Sequence, residues 1–147
     1  MKLEGSYLFD GSPKEVWDLL LNPQSLQGCI PGIKELRQTG EDQYEATMTV
    51  GVAAIKGTYK GKVAISDKQE PNSYTMRVEG SGGPGFVKGV ARITLTQAEK
   101  GTDVSVDADG QIGGPVAGVG QRMLGGVGKM LMNQFFDCMR QQMGSAV

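Results

Sequence analysis

The 147 residues make one domain's worth of chain, enough to bury roughly two-thirds of the unfolded surface around a single core. A formal charge of -1 leaves no basic face of the kind that binds nucleic acid. Histidine is absent, which removes Ser-His-Asp and Cys-His machinery and His-ligated zinc; Asp, Glu, Lys, Tyr and Cys remain, so catalysis is disfavoured rather than excluded, and no catalytic residue, metal or cofactor is assigned.

Residues 2–10 alternate, with Leu3, Gly5, Tyr7 and Phe9 against Glu4, Ser6 and Leu8, and predict a first strand. Ser12-Pro13-Lys14-Glu15 then predicts a helix start: Ser12 at the N-cap, Pro13 at the first helical position and Glu15 completing a capping box. Val16, Trp17, Leu19 and Leu20 supply its apolar stripe, and Asn22-Pro23 ends it. A second short helical turn follows over 23–26, before a turn or extended crossing at Cys29-Ile30-Pro31-Gly32. The cysteines Cys29 and Cys138 lie far apart with no CxxC spacing; with no signal-peptide core at the start, they are expected as free thiols in a reducing cytoplasm.

From Ile33 the period becomes two. Tyr44, Ala46, Met48, Val50 and Val52 form one apolar set; Ile55, Gly57, Tyr59, Gly61, Val63 and Ile65 form the next. Tyr74, Met76 and Val78, then Val87, Gly89, Ala91, Ile93 and Leu95, then Val104, Val106, Ala108 and Ile112 continue the meander. One greasy and one wet face is the pattern of an antiparallel sheet packed on one side. Gly57, Gly61, Gly80 and Gly89 interrupt the inner faces, as a strongly curved sheet requires. Lys56, Lys60, Lys62 and Lys68 read as a solvated outer face. The residues Asp103, Asp107 and Asp109 likewise read as solvated charge.

Gly80-Ser81-Gly82-Gly83-Pro84-Gly85 satisfies GxGxxG after a strand, but Phe86 onward alternates where a dinucleotide site needs a helix. It reads as a mobile hairpin tip able to gate a cavity mouth through Phe86. Residues 115–143 have helical spacing, with Val116, Val119, Met123, Val127, Met130 or Leu131, Gln134 and Cys138 inward, widened by Leu124, Leu131, Phe135 and Met139. Lys129, Asn133, Asp137 and Arg140 mark the wet side. Gly118, Gly120, Gly125, Gly126 and Gly128 each cost about 1 kcal/mol of helix stability relative to Ala, which close packing on the sheet or room for a guest must justify. The fold expected over 1–147 is α+β: a curved antiparallel sheet of about seven strands around a long C-terminal helix, with two short helices after strand 1.

This order is the helix-grip plan, and the chain resembles the CoxG family, named for a component of carbon monoxide dehydrogenase, within the START/Bet v 1-like (SRPBCC) superfamily. The matching residues are Leu3-Glu4-Gly5, Ser12-Pro13 with Val16-Trp17, Cys29-Ile30-Pro31-Gly32, Val50-Gly51-Val52, Gly120-Gln121-Arg122 and Gln134-Phe135-Phe136. The resemblance implies a non-catalytic accessory protein of a molybdenum-containing carbon monoxide dehydrogenase or related hydroxylase. It also implies an apolar, lipid-like ligand, a quinone being one candidate, and membrane contact that is at most peripheral. Many members carry a hydrophobic tail after the last helix, where this chain ends at Val147.

Parity and helical stripe select the ligand-binding residues: Trp17, Leu20, Ile30, Met48, Val50, Tyr59, Met76, Val78, Phe86, Gln121, Met123, Val127 and Leu131. Tyr59 or Gln121 is the expected hydrogen-bond donor to a carbonyl. The alternative is a docking or maturation factor with no functional ligand, contacting its enzyme through the lysine face or the glycine tip.

Overall fold

A computed structural model describes residues 1–52 and 55–145, with the backbone alone for 144 and 145; the end at Val147 lies outside them. The elements run β1 (Lys2–Phe9), α1 (Pro13–Leu20), α2 (Pro23–Cys29), β2 (Ile33–Gly40), β3 (Gln43–Val50), β4 (Gly57–Gln69), β5 (Ser73–Gly82), β6 (Gly85–Ala98), β7 (Gly101–Gly113) and α3 (Gln121–Ser145). All strands join one antiparallel sheet in the order β1-β7-β6-β5-β4-β3-β2. The meander therefore closes on β1, which lies beside β7, and α1 and α2 occupy the chain between the two edge strands.

The local signals act as expected. Glu15 N donates to Ser12 Oγ at 3.2 Å and Ser12 N donates to Glu15 Oε1 at 3.1 Å, so the capping box satisfies otherwise orphaned donors of α1. The hydrogen bond that Ser12 N donates to the charged carboxylate is the leading cause that holds Glu15 below the usual range. Asn22 caps α2 by accepting from Gln24 N at 2.8 Å, with Pro23 at the first helical position. Gly61 shows why glycine punctuates the curved sheet: a Cβ there would lie 2.3 Å from Glu79 O on the neighbouring strand.

The core sits where the C-terminal half of α3 meets β1, α1 and α2. Phe136 stacks on Tyr7 at 4.5 Å between ring centroids and meets Phe9 edge-on, while Trp17 meets Tyr74 edge-on at 5.4 Å. Phe9, Val16, Leu20, Ile93, Val104 and Met139 are fully enclosed. Asn133, expected on the wet side, is half-buried and accepts from Tyr7 Oη at 2.6 Å. A helix packed against β1 along its flank turns that residue toward the sheet, and a half-buried phenol needs a partner.

Three expectations need correction. Cys29 and Cys138 are joined by a disulfide and are not free thiols. Their separation of 109 residues gave no local sign of pairing, but docking α3 against α2 brings the Cα atoms to 5.4 Å, inside the range a disulfide spans. The terminal segment is not one helix from residue 115: Pro115–Val119 is a 3-10 turn, and Gly120 at φ 95° separates it from α3. Finally, Met123 and Gln134 face solvent, as does Met130 where its alternative Leu131 is half-buried; Leu124 and Met139 of the widened stripe are buried, joined by Phe136.

Candidate functional site

The apolar inner face of β3, β4 and β5 is assembled by register. Met48 opposes Tyr59, Val63 opposes Val78, and Met76 lies beside Ile65 and Ala91. Above this face α3 is not seated evenly. Its backbone comes closest to β1, α2 and α1, and it approaches β3, β4 and β5 less closely. Met48, Tyr59, Met76, Val78, Val127 and Leu131 are consequently half-buried, unlike the enclosed residues under the other end of the helix. A Cβ on half-buried Gly125 would meet nothing within 4 Å, whereas one on Gly128 would lie 2.9 Å from Leu3 Cδ1. Of the two reasons for helix glycines, close packing therefore holds at Gly128, while Gly125, one turn earlier on the same β1-facing side, has no neighbour to press.

The structure divides the predicted ligand-binding residues into groups. Trp17 and Leu20 are 3% and 1% exposed and belong to the packed core, with Ile30 and Met76 against it. Met48, Val50, Tyr59, Val78, Val127 and Leu131 lie outside that packed cluster, Val50 being buried and the rest half-buried. Gln121 and Met123 are exposed in the first turn of α3. Phe86 is on the opposite face of the sheet, because β6 turns 87, 89, 91, 93 and 95 inward; its ring lies over Gly113. Val63 and Ala91 share the inner face and were identifiable by the same alternation.

Polar groups near this face are few. Tyr59 Oη donates to Ile55 O at 2.7 Å, so its proton is engaged and the oxygen keeps accepting capacity. Burial raises its pKa and keeps it neutral. The glycine tip is a tight hairpin in which Gly82 opposes Gly85, and it is tied down: Val116 N donates to Pro84 O at 2.7 Å. No group of His, Cys, Asp or Glu suited to a metal occurs among the described residues. No helix among them is long and apolar enough to cross a membrane. A trough of about 630 Å³ does occur, but Lys60, Lys62, Glu79 and Phe86 are among its borders, which puts it on the outer face.

No curated protein matches the sequence. Among solved structures, a conserved protein from Geobacillus kaustophilus is 38% identical, covers 99% of this chain and 97% of its own, and superposes with a TM-score of 0.96. Ara h 8.0201 is 14% identical with a TM-score of 0.74, covering 99% of this chain and 98% of its own. TTHA0849 from Thermus thermophilus is 11% identical with a TM-score of 0.72, covering 99% of each chain. At those identities the latter two carry the fold alone, which is the Bet v 1-like helix grip. The model of the carbon monoxide dehydrogenase CoxG family matches residues 5–144, and the chain belongs to that family.

Proposed function

We propose that this protein is a non-catalytic accessory factor that holds an apolar, lipid-like molecule between the inner face of β3–β5 and the N-terminal half of α3. The enzyme it serves is a molybdenum-containing carbon monoxide dehydrogenase or a related hydroxylase, and a quinone fits the class of ligand. The supporting observation is the uneven seating of α3. Met48, Tyr59, Val78, Val127 and Leu131 stay half-buried where α3 approaches β3–β5 less closely than it does β1 and α2. The apolar lining suits a lipid-like guest, while Tyr59, expected as a donor to a carbonyl, spends its proton on Ile55 O and offers only an acceptor. The absence of histidine and the solvent-facing carboxylates of β7 argue against chemistry on that guest.

Organic extraction of protein purified from its native host, followed by mass spectrometry, tests the reading. The expected result is one dominant apolar species at near one equivalent. Protein that carries none, and that takes up neither a quinone nor a fatty acid on incubation, overturns it.

A further inference from the structure

The outer trough is bordered by two rows of side chains that run across β2 to β6. In the first row Arg37, Glu45, Lys62, Glu79 and Lys88 are successive register partners, so charge alternates. Arg37 pairs with Glu45, and Lys88 with Glu79 at 3.7 Å. The second row runs Glu35, Thr47, Lys60, Ser81 and Phe86. Lys60 thus has a hydroxyl residue on either side where Lys62 has carboxylates. Neither lysine makes an ion pair among the described residues. Phe86 ends the row 49% exposed, and the backbones of Gly61 and Gly80 form the floor.

We propose that this trough binds a short, extended acidic segment of a partner protein. A carboxylate of the segment meets Lys60 between Thr47 and Ser81, and an apolar side chain rests on Phe86. Five strands at a spacing of about 4.8 Å span roughly 19 Å, the length of about six extended residues at ~3.3 Å each. The trough is open along its length, whereas a small-molecule site encloses most of its ligand. A bilayer or a nucleic acid would lay anionic groups over Glu35, Glu45 and Glu79 as well as over Lys60, whereas a peptide segment can set a single carboxylate at Lys60 and keep its other positions uncharged. What fits is a segment that joins one carboxylate to an apolar side chain. This inference rests on reading the chain as the companion of another protein, and it is independent of the inner-face ligand.

The test is fluorescence anisotropy with a labelled hexapeptide of sequence Gly-Ser-Asp-Ser-Gly-Leu, beside its Asn counterpart, at ~50 mM salt so that surface charges are not screened out. The acidic peptide should bind at least about tenfold more tightly than the neutral one, and Lys60→Glu should remove that difference. Phe86→Ala should weaken binding about threefold or more. Arg77→Glu makes the same charge change on an exposed residue outside the trough and should alter binding less than about twofold. Equal binding of the two peptides overturns the proposal, as does equal weakening by Lys60→Glu and Arg77→Glu. Displacement of the peptide by anionic vesicles or by ~10 mM phosphate would overturn it as well. Mass spectrometry on Lys60→Glu separates the two readings: lost peptide binding with a retained apolar guest concerns the trough alone.

Discussion

Cys29, the last residue of α2, is bonded to Cys138 in α3, closing 109 residues of chain. The bond clamps the well-packed half of α3 and leaves the half above β3–β5 to packing alone. Cross-linking a loop of this length restricts the unfolded ensemble by up to about 4.7 kcal/mol in the chain-entropy account. Reduction, or Cys29→Ser with Cys138→Ser, should lower the unfolding free energy obtained from guanidinium denaturation by an amount approaching that figure, seen as a fall in the midpoint. An unchanged midpoint would show that the bond contributes nothing to stability. Thiol trapping in freshly lysed cells should find both cysteines blocked by this bond, and free thiols, the ordinary state in a reducing cytosol, would show that it does not form there.

The tyrosines give a direction at alkaline pH. Burial raises the Tyr74 hydroxyl well above its ordinary value, and desolvation is also the leading cause of the raised values of Tyr7, Tyr44 and Tyr59. A group whose folded pKa is raised contributes stability that is complete below the unfolded value, about 10 for tyrosine, and lost as pH rises through the folded one. The thermal midpoint should therefore hold up to about pH 9 and fall beyond about pH 10, together with the appearance of phenolate absorbance. Tyr74→Phe should flatten that decline. An alkaline limb as steep in the variant as in the parent would remove Tyr74 as its cause.

Helix glycines offer a comparison within α3. Gly126 is exposed and a Cβ there meets nothing within 4 Å, so Gly126→Ala should stabilise the fold by about 1 kcal/mol. Gly128→Ala should gain less, since its Cβ would press Leu3 Cδ1 at 2.9 Å. Thermal denaturation of the two variants checks the order, and the reverse order would contradict the close seating of α3 on β1.

Filling the inner face tests the guest directly. Val78→Trp places bulk between Val63 and the half of α3 that stands off, and it should cut the extracted apolar species by about tenfold while leaving the purified protein folded. Phe86→Ala, on the other face, should leave that species unchanged. Equal loss in both variants would mean that the guest is not held where Val78 points.

The capping box at Ser12 and Glu15, the alternation of the strands and the glycine-rich hairpin at 80–85 were all legible in the sequence, because each depends on residues a few positions apart. Helical spacing was less informative. Val116, Val119 and Met123 fit one periodic stripe on paper, but Gly120 adopts a left-handed backbone and starts the phase afresh at Gln121. The pairing of Cys29 with Cys138 and the turn of Asn133 toward Tyr7 both required knowing how α3 docks.

Local chemistry thus dictated which segments are strands and helices, which face of each strand is apolar, and the helix-grip plan that follows. It left open the height of α3 above each strand. That is set by contacts between distant residues: Gly128 on Leu3, Phe136 on Tyr7, and Cys138 bonded to Cys29 hold the helix close to β1 and α2. With the helix pinned at one flank, the strongly curved sheet diverges from it at β3–β5. The same apolar pattern therefore yields a sealed core at one end and half-buried side chains at the other.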